Sequence, residues 1–181
     1  VLAGIVSVLV SLASIVSYPV LLAVGLPPVT ANVTNTVALV LTGVGAALGS
    51  QRELAGLRPI VLRLAVAAVV GGFTGAALLL VLPERVFELV VPVLIAGASI
   101  LLLAQPRLRS RPMLQPRGLR PGPVAAFTAT SVYLGYFGAA GGILSLAVLS
   151  TMLDRPYHDV NAAKNTLAAL ANGDAAVVFV M

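Results

Sequence analysis

The chain has 181 residues, of which 59% are hydrophobic and only 9% are charged. A soluble domain would carry about 25% charged residues, so this composition, with a mean hydropathy of +1.06, excludes a water-soluble monomer. A transmembrane barrel would alternate apolar and polar residues, whereas both faces of the segments here are apolar. The sequence therefore predicts an all-α integral membrane protein, a polytopic helical bundle.

The distribution of apolar residues predicts six apolar segments, since one helix needs about 20 apolar residues to cross the bilayer. They cover about 1–24, 32–50, 59–82, 86–104, 124–153 and 161–181. The first segment is expected to be interrupted near Pro19, which lacks a backbone donor. The fifth is longer than one straight span needs and contains several glycines, so it is expected to be a broken helix.

The segment 105–123 is a basic linker with five arginines, five prolines and no acidic residue. A basic patch can bind nucleic acid, but this one has no aromatic residue for base stacking and it flanks apolar segments. The positive-inside rule instead predicts a cytoplasmic linker in a multi-pass membrane protein, which we expect to lie in the bacterial inner membrane. It separates a first repeat unit, 1–104, from the start of a second, 124–181.

A weak internal repeat links the two units. ASIVSYPVL (13–21) is similar to GGILSLAVL (141–149), and a proline turn followed by a helix with amides comes after both. The matched positions are the prolines Pro27/Pro156 and the asparagines Asn32/Asn161 and Asn35/Asn165. Broken helices in corresponding positions of two halves point to a transporter binding site. The repeats are parallel if 124–153 crosses once and inverted if it forms a re-entrant hairpin, and the sequence leaves both open.

Two stretches, 14–43 and 135–170, resemble the two halves of the sulfite exporter TauE/SafE family. The resemblance covers essentially the whole chain. It implies a membrane transporter with two related halves that exports sulfite or a sulfur-containing organic anion such as a sulfonate. It also implies further spans beyond Met181, so we expect the chain to be incomplete.

The candidate substrate-binding residues form two polar stripes at three- and four-residue spacing, together with two glycines at the predicted helix break. The set is Asn32, Asn35, Thr36, Gly141, Gly142, Asn161, Lys164 and Asn165. The side chains would bind a small anion through hydrogen bonds and one positive charge, and the glycines would expose backbone N–H groups. The structural alternatives are helix caps for Asn32 and Asn161, interhelical bonding by the amides and a snorkelling anchor for Lys164.

Asp174 is a candidate for binding a coupling ion, a proton or sodium, unless it simply lies near the end of a span. With one histidine and no cysteine, the sequence predicts no cofactor, no metal site and no enzyme activity. The leading prediction is a secondary anion transporter, and the alternatives are a passive anion channel or a transporter of an unrelated solute. Because the last segment is too polar to face lipid all round, further spans or a homo-oligomer should cover it.

Overall fold

The computed structural model describes residues 13–109, 119–138 and 141–181. Within these ranges it confirms the all-helical prediction, with eight helices and no strand. They are α1 (Ala13–Ala23), α2 (Pro28–Gly49), α3 (Gln51–Leu54), α4 (Arg58–Val81), α5 (Glu84–Arg109), α6 (Pro121–Tyr136), α7 (Gly141–Met152) and α8 (Tyr157–Val180). The start of the first predicted segment and the centre of the basic linker lie outside the described residues.

Two of the described helices, α2 and α4, are long and apolar enough to cross a membrane. Only 22% and 39% of their most apolar 18-residue stretches, respectively, are buried within the structure. Most of their apolar surface is therefore left for lipid or for other protein segments.

Prolines determine where the two amide-bearing helices begin. The N-cap residues of α2 and α8 are Pro27 (φ −55°, ψ 147°) and Pro156 (φ −54°, ψ 154°), which have nearly the same backbone conformation. A proline fits at a helix start because the first N–H groups have no intrahelical acceptor. Both helices thus begin four residues earlier than predicted, so neither Asn32 nor Asn161 is a helix cap.

The predicted interruption near Pro19 does not end α1, which continues to Ala23. Proline within a membrane helix is tolerated where neighbouring groups satisfy the freed carbonyl. The predicted break in the fifth segment does occur. It lies between α6 and α7, where Gly138 has a φ of +74°, a left-handed conformation that favours glycine.

Two core clusters mark opposite ends of the molecule. The linker end contains, among others, Leu54, Leu57, Phe127, Met152, Leu153 and Val160, with Leu119 packed against it. The aromatic end contains Tyr18, Ala31, Leu79, Phe87, Val91, Tyr136 and Phe137, with Leu21 and Leu26 packed against it. The start of α6 and the end of α7 both lie at the linker end, so these two helices form a hairpin whose tip reaches the aromatic end.

The same clusters give the direction of the other helices. The connection from α1 to α2 lies at the aromatic end, where Leu26 packs, and the connection from α7 to α8 lies at the linker end with Leu153. Consequently α2 and α8 run antiparallel. They cross closely at Gly43, where an added Cβ would lie 2.7 Å from the Cβ of Ala169.

Helix α4 packs against α6 through glycines. A Cβ on Gly71 would lie 2.5 Å from the Cβ of Ser131, and one on Gly75 would overlap the backbone of α6 near Val132. Only glycine permits this approach of two backbones. A Cβ on Gly45, by contrast, would meet no described atom within 4 Å.

Candidate functional site

A cavity of about 60 Å³ lies where α2 crosses α8. A single water molecule needs roughly 10–15 Å³ by the same kind of measure, so the cavity has room for a small ion. Its lining comes from α1, α2, the hairpin tip and α8. The lining residues are Ser14; Leu39, Thr42, Gly43 and Ala46; Leu134, Gly138 and Gly142; and Lys164, Asn165, Ala168, Ala169 and Asn172.

Lys164 carries the charge of this site. Its side chain is 2% exposed, and it is the one charged residue in the buried class within the described ranges. It is the eighth residue of α8, about 10 Å along the axis from the helix start. A cation at mid-membrane costs at least about 2.5 kcal/mol on insertion scales. Polar side chains in the cavity lining, such as Thr42 and Asn165, can offset part of that cost, and the near-complete burial disfavours a snorkelling anchor.

Two amides of α8 share the cavity with the lysine. Asn165 directly follows Lys164 and Asn172 lies about two turns further along α8, and both residues are buried and line the cavity. Thr42 of α2 lines the opposite wall. Amide and hydroxyl groups donate hydrogen bonds as well as accept them, so this lining can bind an anion beside the ammonium group.

The hairpin tip contributes backbone N–H groups to the cavity. Gly142 lines the cavity from the first turn of α7, where N–H groups have no intrahelical acceptor and the helix dipole favours an anion. Gly141 does not line the cavity. It is buried, and a Cβ there would overlap the side chain of Leu134.

Asn32 and Thr36 are buried but do not line the cavity. Asn32 Nδ2 donates a hydrogen bond to the Tyr136 carbonyl oxygen (3.0 Å), and the Thr36 hydroxyl donates to the Asn32 carbonyl oxygen (3.0 Å). Tyr136 is the last residue of α6, where carbonyls lack helical partners. Asn32 therefore ties α2 to the hairpin tip.

Asn35 contacts the cavity only through α1. Its Nδ2 donates to Ser14 Oγ (3.1 Å), and its Oδ1 accepts a short hydrogen bond from Ser17 Oγ. Ser14 itself lines the cavity and is 5% exposed. The sequence analysis missed Ser14; the available signal was its three-residue spacing from Ser17, which places both hydroxyls on one face of α1.

The two remaining predicted residues lie elsewhere on α8. Asn161 is one turn closer to the linker end than Asn165. Asp174 lies near the backbone of Phe73 in α4, and its Oδ2 is a buried atom without a hydrogen-bond partner in the described structure. Of the predicted set, the structure thus brings together Gly142, Lys164 and Asn165 around one cavity.

Comparison with known proteins gives one result. The family model described as sulfite exporter TauE/SafE matches residues 1–181, while no curated protein and no solved structure matches this chain. That family implies a membrane transporter of sulfite or related anions. Because the match spans the whole sequence, the chain belongs to the sulfite exporter TauE/SafE family.

Proposed function

We propose that this protein is a secondary transporter that exports sulfite or a small organosulfur anion such as a sulfonate, and that the cavity between α2 and α8 is its binding site. One observation carries the proposal. Lys164 is 2% exposed, lies deep in a helix, and lines a cavity that also contains hydroxyl and amide side chains and is large enough for a small ion. A buried ammonium group that lines such a cavity can attract an anion.

In this proposal, residues on each wall of the cavity have a distinct role. Lys164 attracts the anion, Asn165 and Asn172 donate hydrogen bonds from α8, and the first turn of α7 at Gly142 supplies N–H groups. A dianion such as sulfite gains more from the single ammonium charge than a monoanion does.

The helix directions support an inverted-repeat arrangement of the two units. The α1–α2 and α7–α8 connections lie at opposite ends of the molecule. Each connection ends at an N-cap proline of matching conformation, and the two helices that follow run antiparallel. In this arrangement the anion binds where the repeats meet, and rocking of one unit against the other would open the cavity to alternate sides. Asp174, outside the cavity, is our candidate for binding the coupling proton or sodium ion.

Transport by the complete gene product in proteoliposomes tests this proposal. Uptake of labelled sulfite by the wild type should saturate and show counterflow, whereas a passive channel would show neither. Lys164→Met should abolish saturable uptake, and Lys164→Arg should retain part of it. The matched control is Arg155→Met, which removes one positive charge from an exposed position. Unchanged uptake by Lys164→Met would make the lysine a structural anchor and would contradict the site.

A further inference from the structure

Three side chains of α1 and α2 form a hydrogen-bonded chain that ends at the cavity. Ser17 Oγ donates to Asn35 Oδ1, and Asn35 Nδ2 donates to Ser14 Oγ (3.1 Å). Because Ser17 occupies the amide oxygen, the amide nitrogen of Asn35 is turned towards Ser14. The hydrogen bond from Ser17 thus sets the donor and acceptor directions of this hydrogen-bonded chain.

This orientation determines what Ser14 can offer. A serine hydroxyl has one proton to donate and lone pairs that accept. Asn35 fills an acceptor position on Ser14 Oγ, so the hydroxyl proton is directed to an acceptor other than Asn35. Ser14 lines the cavity opposite the α8 wall that holds Lys164 and Asn165.

We infer that Ser14 is an anion-contacting residue, that Asn35 and Ser17 are positioning residues acting through it, and that together they select ligands that present a hydrogen-bond acceptor to α1. The inference rests on the proposed function of the cavity. An oxyanion can accept a hydrogen bond from the Ser14 hydroxyl and interact with the Lys164 charge at the same time. A ligand group that can only donate, such as an ammonium group, would place two donors against each other.

Equilibrium binding of labelled sulfite to the detergent-purified complete protein tests the inference. Ser14→Ala should weaken binding about tenfold, the usual effect of removing a hydrogen bond to a charged group, and Ser14→Thr should restore most of it. Asn35→Leu should weaken binding by a similar factor, and Ser17→Ala by less. The matched control is Ser150→Ala, whose hydroxyl donates within its own helix to the Leu146 carbonyl oxygen (2.7 Å) outside the cavity.

The double variant Ser14→Ala/Asn35→Leu separates positioning from direct contact. If Asn35 acts only through Ser14, the double variant binds sulfite no more weakly than either single variant. Additive losses would mean that Asn35 contacts the anion itself and would overturn the inference. Should Asn35→Leu fail to fold, the pair Ser14→Ala/Ser17→Ala gives the same comparison.

The remaining outcomes distinguish the inference from the proposed function. If the wild type binds sulfite and Ser14→Ala binds it equally well, the role of Ser14 is refuted while the anion site stands. If the wild type binds neither sulfite nor a sulfonate, the proposed function fails and the inference fails with it.

Discussion

On α2 the amide side chains of Asn32 and Asn35 bond to other parts of the protein, whereas on α8 Asn165 and Asn172 line the cavity. Asn35 is held between two serines of α1. Its counterpart Asn165 lines the cavity, and Ser145, the counterpart of Ser17, has a buried hydroxyl without a hydrogen-bond partner in the described structure. The serine–asparagine link of the first unit is therefore absent from the second.

This difference suggests how two similar units divide one task. On the α2 stripe, Asn35 bonds to α1 and Asn32 bonds to the hairpin tip, which helps to fix the walls of the cavity. The α8 stripe places Asn165 and the only lysine of the chain, Lys164, on the cavity wall. A repeated pattern of residues thus predicts where a site lies but not which copy contacts the ligand.

The largest effect is expected where the two stripes meet. Gly43→Ala would place a Cβ 2.7 Å from the Cβ of Ala169, and overpacking of this kind destabilises by about 1–3 kcal/mol. We expect a lower melting temperature and weaker sulfite binding. Gly45→Ala, on the same helix but in open space, should instead gain up to about 1 kcal/mol in stability from its better helix propensity. Equal effects of the two substitutions would contradict the close crossing.

The ligand-contacting role of the α8 stripe predicts a specific loss of affinity. Asn165→Leu should weaken sulfite binding about tenfold, because one donor to the anion is removed, while the melting temperature without ligand changes little. Binding isotherms and melting curves on the same preparations measure both quantities. A fall in melting temperature with unchanged affinity would assign Asn165 a structural role like that of α2.

The structural role of the α2 stripe predicts the reverse. Asn32→Leu leaves the buried Tyr136 carbonyl oxygen without its 3.0 Å hydrogen bond, a loss of about 1 kcal/mol in unfolding free energy. Sulfite affinity should stay within about twofold of the wild type, since a change of 0.4 kcal/mol or less is expected at a site that the side chain does not line. A large loss of affinity without loss of stability would place Asn32 in the binding site.

Side-specific labelling tests the inverted arrangement with little perturbation. Val24→Cys and His158→Cys place thiols at exposed positions, 77% and 68% exposed; Val24 lies in the α1–α2 connection and His158 lies directly after the α7–α8 connection, in the first turn of α8. If the basic linker is cytoplasmic, an impermeant maleimide should label Val24→Cys in intact cells and His158→Cys only after permeabilisation. Labelling of both from one side would indicate parallel repeats.

Much of this fold could be predicted from composition and spacing, because helices are the economical way to satisfy backbone groups in lipid. The break near Gly138 could be predicted because the segment 124–153 contains several glycines. The start of α2 was misplaced because Asn32 resembled a cap while Pro28 begins the helix. The unequal use of the stripes could not be predicted, since Asn35 and Asn165 each lie about one turn after the preceding amide and the partners of Asn35 lie on another helix.

Selenite, the heavier analogue of sulfite, offers the most direct test of the anion site. Anomalous scattering from crystals of the complete protein grown with selenite would locate the selenium atom. We expect one peak in the cavity between α2 and α8, with ligand oxygens about 2.7–3.2 Å from Lys164 Nζ and Ser14 Oγ and no contact with Asn32. A selenium peak elsewhere along the helices, with the cavity empty, would contradict the assignment of this site.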